Sequence, residues 1–209
     1  MSGIVGQNTL DGSGLIKSPA GGGAWTFIKK LTASSSSTLS FVNGSSDVVL
    51  DSTYKTYVFT CKDIHAATNA AEFSFQASID TGSNYNVTQN TMSHRHYHPE
   101  DDSSTSHAWV AFDSAQDGST AFQPLTINQG NAADDASCGI LMLYDPSSTT
   151  YYKHWDWYGV NAHDTGTPAV LAPQIEGTVR STSAVDAVQF KFSSGNIDAG
   201  DICLYGIST

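Results

Sequence analysis

The chain is short of the residues that hold helices together and short of positive charge. Glu appears three times among 209 residues, against 17 Asp, and Lys and Arg together number nine. Helix interiors draw on Glu, Lys and Arg, so their scarcity argues against a helical fold. Nine basic residues against 20 acidic ones leave a formal net charge of −11. Nucleic acid phosphates and anionic membrane surfaces repel such a chain, and the sole adjacent basic pair is Lys29-Lys30. No nucleic acid partner and no membrane insertion are expected.

Cysteine is equally sparse. Cys61, Cys138 and Cys203 are odd in number, widely separated and set in apolar or β-like runs, which excludes a disulfide scaffold and a zinc knuckle. Buried free thiols from a reducing compartment are the expectation. Long apolar runs are missing too: the longest, near Ile140 to Tyr144, is far short of a membrane span. No charged-then-apolar leader opens the sequence, so synthesis without export by the ordinary secretory route is expected. The sequons Asn43-Gly44-Ser45 and Asn86-Val87-Thr88 would then never meet the glycosylation machinery.

What the chain does contain is hydroxyls, 28 Ser and 21 Thr, together with Tyr, Phe and Val. These suit a pleated, half-buried surface, while Asp, Asn and Gly supply its turns. Residues 1–23 hold seven glycines and read as an N-terminal arm that needs outside contacts to become ordered. The body, 24–209, is a succession of short alternating runs. Trp25, Phe27 and Lys29 share one strand face; Leu39 with Phe41, and Tyr57, Phe59 with Cys61, mark two more. Phe73, Phe75, Ala77 and Ile79, then Asp80-Thr81-Gly82-Ser83-Asn84, then Tyr85 and Val87, predict a hairpin. Further strands are predicted over His107 to Phe112, Phe122 to Ile127, Cys138 to Tyr144, Thr150 to Tyr158, Ala169 to Val179, Ala187 to Phe192 and Ile202 to Ile207. About ten short strands with regular turn signals predict an all-β, antiparallel β-sandwich, jelly-roll-like in its winding. Pro99 to Ser104 and Asn128 to Ala136 read as polar end loops.

Three local sets invite a chemical reading. His94, His96 and His98 alternate, so a strand would present them in one file, a pattern able to offer nitrogen ligands to a metal. Same-face neighbours stand about 6 to 7 Å apart along a strand, which makes convergence of three on one ion rare. An exposed strand whose histidines bond to neighbours or to Glu100-Asp101-Asp102 is the plainer reading, and no cofactor is expected. Asp80, Asn84 and Asn86 match no calcium loop and read as a turn. In the run from Tyr151 to Tyr158, alternation puts Tyr151, Lys153, Trp155 and Trp157 on one side. That side is either core or subunit packing, or, if exposed, a contact for a partner or glycan through Tyr151, Trp155 and Trp157. No catalytic residues are assigned, because nucleophile elbow, P-loop, HExxH and dinucleotide patterns are all missing.

Several phrases carry a likeness: Phe41-Val42-Asn43-Gly44-Ser45-Ser46-Asp47-Val48-Val49-Leu50-Asp51, Tyr54-Lys55-Thr56-Tyr57-Val58-Phe59 and Phe73-Ser74-Phe75-Gln76-Ala77. So do Asp80 to Tyr85, the closing Phe190-Lys191-Phe192-Ser193-Ser194-Gly195-Asn196-Ile197, and Leu204-Tyr205-Gly206-Ile207. Together they resemble a module recurrent in virion structural proteins of tailed bacteriophages, marine ones especially. The resemblance spans most of residues 25–209 and implies a virion component without a reaction to perform. In longer members the module is a C-terminal unit of fibre or tail proteins; here a Gly-rich arm precedes it, which favours a compact unit over a long fibre. The expectation is a non-enzymatic capsid decoration or cement-type protein, made in the host cytoplasm and located in the virion. Its expected partners are copies of itself, a trimer being the expected count, and other virion proteins such as major capsid or tail proteins. The alternative is a tail- or fibre-associated adhesin that binds host surface glycan, and a polysaccharide-cleaving enzyme on the same sandwich is the third reading.

Overall fold

Alternation becomes strand along most of the body. The computed structural model describes residues 25–109, 116–163 and 168–207; the expected arm over 1–23 and the end of the strand expected from His107 to Phe112 lie outside them. Among the described residues there are thirteen strands and no helix. They are β1 (Trp25–Thr32), β2 (Leu39–Val42), β3 (Thr56–Ala66), β4 (Phe73–Ser78), β5 (Gln89–Pro99), β6 (Ser106–Trp109) and β7 (Asp117–Ser119). The rest are β8 (Gln123–Pro124), β9 (Ser137–Tyr144), β10 (Lys153–His163), β11 (Ala169–Val179), β12 (Ala187–Phe192) and β13 (Ile197–Ile207).

The strands form two antiparallel sheets. The larger runs β1-β13-β3-β9-β10-β11-β5-β6, with β7 also on β5, and the smaller runs β2-β12-β4-β8. The all-β class and the antiparallel sandwich are therefore as expected. Consecutive strands β1 and β2, β3 and β4, β8 and β9, and β12 and β13 sit in opposite sheets, so the chain passes repeatedly between the layers.

The core fills the space between them. Phe41, Phe73, Phe75 and Phe190 from the small sheet meet Phe59, Trp155 and Trp157 from the large one, all but buried. Phe73 stacks on Phe190 with centroids 5.6 Å apart, and Phe75 meets Trp155 edge-on at 4.7 Å. Such geometries add about 0.5–1.5 kcal/mol per pair beyond the area they bury. The large rings need room, and glycines supply it. Gly139 and Gly159 are cross-strand partners on β9 and β10, and a Cβ on either would lie 2.3 or 2.5 Å from the Trp157 ring. Trp155 lies likewise over its cross-strand partner Gly177, and Tyr54 over Gly206 of the closing Leu204-Tyr205-Gly206-Ile207 phrase. The phrase is thus a packing signature, with Leu204 fully buried beside the seat for a ring.

Several expectations need correction. The hairpin after Ile79 does not form: Tyr85 and Val87 are outside any strand, and the chain leaves β4 for β5 in the other sheet. Both edges of β4 are already occupied, by β12 and β8, so no site remains for a hairpin partner. The turn itself is real, since Asp80 accepts from the Asn84 backbone N–H at 2.8 Å and from Asn84 Nδ2 at 2.7 Å. Those hydrogen bonds hold the Asp80 carboxyl below its usual range. The strand expected over Phe122 to Ile127 shrinks to the two residues of β8, although Leu125 and Ile127 are buried. Only Cys61 of the three free thiols is buried, and burial pushes its pKa up; Cys138 and Cys203 are half-buried.

Candidate functional site

The aromatic run from Tyr151 divides as its alternation suggests. Trp155 and Trp157 point inward from β10 and are 2% and 0% exposed. Lys153, on the same side, is buried too; its amine donates to Ser181 O at 3.0 Å and Ser183 O at 2.5 Å, and burial lowers its pKa. Tyr151 precedes the strand and is 71% exposed. The three residues proposed as a glycan contact are therefore not brought together, and the two indoles are closed to any ligand.

The histidine file lies on β5, pointing outward, yet it does not converge. His94 Nε2 donates to Gln174 Oε1 at 2.5 Å, and His98 Nε2 lies 3.2 Å from Asp102 Oδ1. His96 stacks instead on His107 of β6, its cross-strand partner, with ring centroids 4.6 Å apart. His94 is 5.7 Å from His107 and 6.3 Å from His96, centroid to centroid. Among the described residues no three His, Cys, Asp or Glu side chains are gathered as a metal site requires. The neighbour that completes this cluster, His107, is 11 positions from His96 in sequence, and only strand pairing joins them.

The histidine file and the opposite side of the aromatic run, His154, Asp156 and Tyr158, belong to a larger feature, the outer face of the nine-stranded sheet. Inward positions of β9, β10 and β11 are taken by Leu141, Leu143, Trp155, Trp157, Leu171 and Ile175. The alternate positions form rows across the sheet. One row starts at Met92 on β5, crosses Glu176, Asp156 and Met142, and continues through Val58 and Tyr205 to Phe27. The next passes from His94 over Gln174, Tyr158, Ile140, Thr60 and Cys203 to Lys30. Large apolar side chains stand open on this face: Phe27 is 56% exposed, Met92 54%, Tyr158 53% and Val170 51%. Trp25, Tyr144 and Val160 are exposed there as well. At the β1 edge, Trp25 and Phe27 lean on Tyr205 with centroids 5.6 and 5.7 Å apart.

Hollows lie between these projections. One is lined by His96, Tyr97, His107, Val170 and Ala172 at the β5–β6 end. A second is lined by Met92, Tyr144, Glu176 and Gly177, and a third by Cys138, Ile140, Tyr158 and Val160. The two central carboxylates, Asp156 and Glu176, are cross-strand partners. Asp156 accepts from Tyr144 Oη at 2.8 Å, and burial together with that bond pushes the Tyr144 pKa up to about 12.

No family model, no curated protein and no solved structure matches the chain.

The sequence carried one signal for this face. Ile140-Leu141-Met142-Leu143-Tyr144 is apolar at both parities, whereas a strand with one solvated face alternates. In the fold Leu141 and Leu143 take the inward parity, and Ile140, Met142 and Tyr144 take the outward one. Apolar patches beyond a few hundred Å² mark interaction surfaces.

Proposed function

We propose that this chain is a non-enzymatic structural protein of a virion, a capsid decoration or cement-type protein that acts by packing against copies of itself and against a larger shell. The observation that carries the reading is the outer face of the nine-stranded sheet, where Phe27, Met92, Tyr158 and Val170, on β1, β5, β10 and β11, are each more than half exposed around the central carboxylates Asp156 and Glu176. A surface of this kind costs solubility in a lone molecule and is useful only when covered. The likeness of the quoted phrases to tailed-phage virion modules supports the same reading. So does the winding of β1-β13-β3-β9 against β2-β12-β4-β8, which we read as a jelly roll enlarged by β5, β6, β7, β10 and β11. The glycan-binding adhesin loses the indole platform on which it rested, since Trp155 and Trp157 are core residues.

The test is the copy number of this chain in purified particles of the virus that encodes it. Hundreds of copies per particle are expected. A handful would move the chain to the tail, and its absence from particles would overturn the proposal.

A further inference from the structure

We infer that the outer face of the nine-stranded sheet is covered by a second copy of this chain, related by a two-fold axis that runs along the strands between β9 and β10. This names the partner for the surface on which the proposed function rests.

Three observations lead to it. The first is size. Eight strands at about 4.8 Å spacing, with central strands roughly 25–30 Å long, give a face of roughly 800–1,000 Å². A stable interface buries about 800 Å² on each partner, so one further copy suffices to cover it.

The second is shape. A two-fold contact needs its projections and its hollows on the same surface, since each copy supplies both. Tyr158 and Val160 project beside the hollow that runs along Cys138 and Ile140, on the adjacent strand at the centre of the sheet. The axis exchanges β9 and β10 between copies, so Val160 of each is placed over Cys138 of the other.

The third is the chemistry of the two ends. Imidazoles of His96 and His107 stand at the β5–β6 end, one row beyond His94, and at the β1–β13 end the row beyond Lys30 and Cys203 holds Thr32 and Asp201. The axis keeps each row over itself and lays each end over its opposite, so imidazole meets the Asp201 carboxylate, a pairing of complementary charge when the imidazole is protonated. The unit of assembly is then a pair in place of the expected trimer.

The experiment is sedimentation equilibrium on the full chain, with the variants Tyr158→Arg and Val160→Asp at the centre of the face. Ile79→Arg serves as control, for Ile79 is an exposed apolar residue outside this face. The wild type and the control are expected to sediment at twice the 22.2 kDa chain mass. Each central variant should raise the dimer dissociation constant at least about 30-fold. Unchanged thermal melting of the isolated variants at high dilution keeps misfolding apart from dissociation. A monomeric wild type, a trimer, or a dimer indifferent to both central variants would overturn the inference. A monomer that still enters particles in hundreds of copies would leave the proposed function standing, and a dimer absent from every particle would do the reverse.

Discussion

Gly139 tests the account of the core most sharply, because two opposing effects can be weighed there. Its backbone lies outside the left-handed region, so alanine is permitted, and replacing glycine by alanine in a strand ordinarily gains about 0.5–1 kcal/mol. Against this, the added Cβ would lie 2.3 Å from Trp157 Cη2 and 2.4 Å from Cζ2. Carbon atoms rest at about 3.5–4.0 Å, so the overlap exceeds an ångström. The ring has no easy escape: Trp157 is 0% exposed, and Gly159 forms the rest of its seat. Overpacking of this kind costs about 1–3 kcal/mol or more and outweighs the gain. The net loss reaches about 2.5 kcal/mol, so Gly139→Ala should lower the melting temperature by up to about 10 °C, at about 2–4 °C per kcal/mol for a chain of this size. Trp157→Ala alone should cost about 3–5 kcal/mol. In that background the ring is gone and only the Tyr158 carbonyl oxygen, 2.8 Å from the added Cβ, still crowds it, so Gly139→Ala should cost less than it does in the wild type. The assay is thermal and urea unfolding of the four proteins of the double-mutant cycle. Additive effects of the two substitutions, or a Gly139→Ala protein as stable as the wild type, would refute the seat-and-ring account.

Three further outcomes are expected. Lys153→Ala removes both the buried stem and the donor to Ser181 O and Ser183 O, and should cost about 2–5 kcal/mol. Lys153→Met, which keeps the stem and sheds a desolvated charge, should cost less, and the reverse order in urea titrations would contradict this assignment. Tyr144 should titrate late: the folded chain holds its proton up to about pH 12, whereas an unfolded tyrosine gives it up near 10, so stability falls as pH rises through that window. Tyr144→Phe should remove one late-titrating phenol from the ultraviolet titration, and loss of an early one would contradict the shift. Chelator should leave the melting temperature of the wild type unmoved, because His94, His96 and His98 do not converge; a drop of several degrees would restore the metal reading.

The all-β class was legible in the sequence because composition and period-two alternation act locally. Ala169 to Val179 and Ala187 to Phe192 emerge as strands with the expected bounds, since their patterns need no help from distant residues. Burial of Trp155 and Trp157 was legible as one of two options, because the opposite parity carries His154 and Asp156. Pairing was not legible. The segment after Ile79 has the turn chemistry of a hairpin, but β12 and β8 occupy both edges of β4, and competition for strand edges is decided across the whole chain. The meeting of His96 with His107 and the alignment of Phe27, Tyr205, Met142 and Met92 in one row depend likewise on register between segments far apart in sequence. A sequence states which side chains share a face of their own strand; only the folded sheet decides which strands lie side by side, and thus which faces add up to a surface.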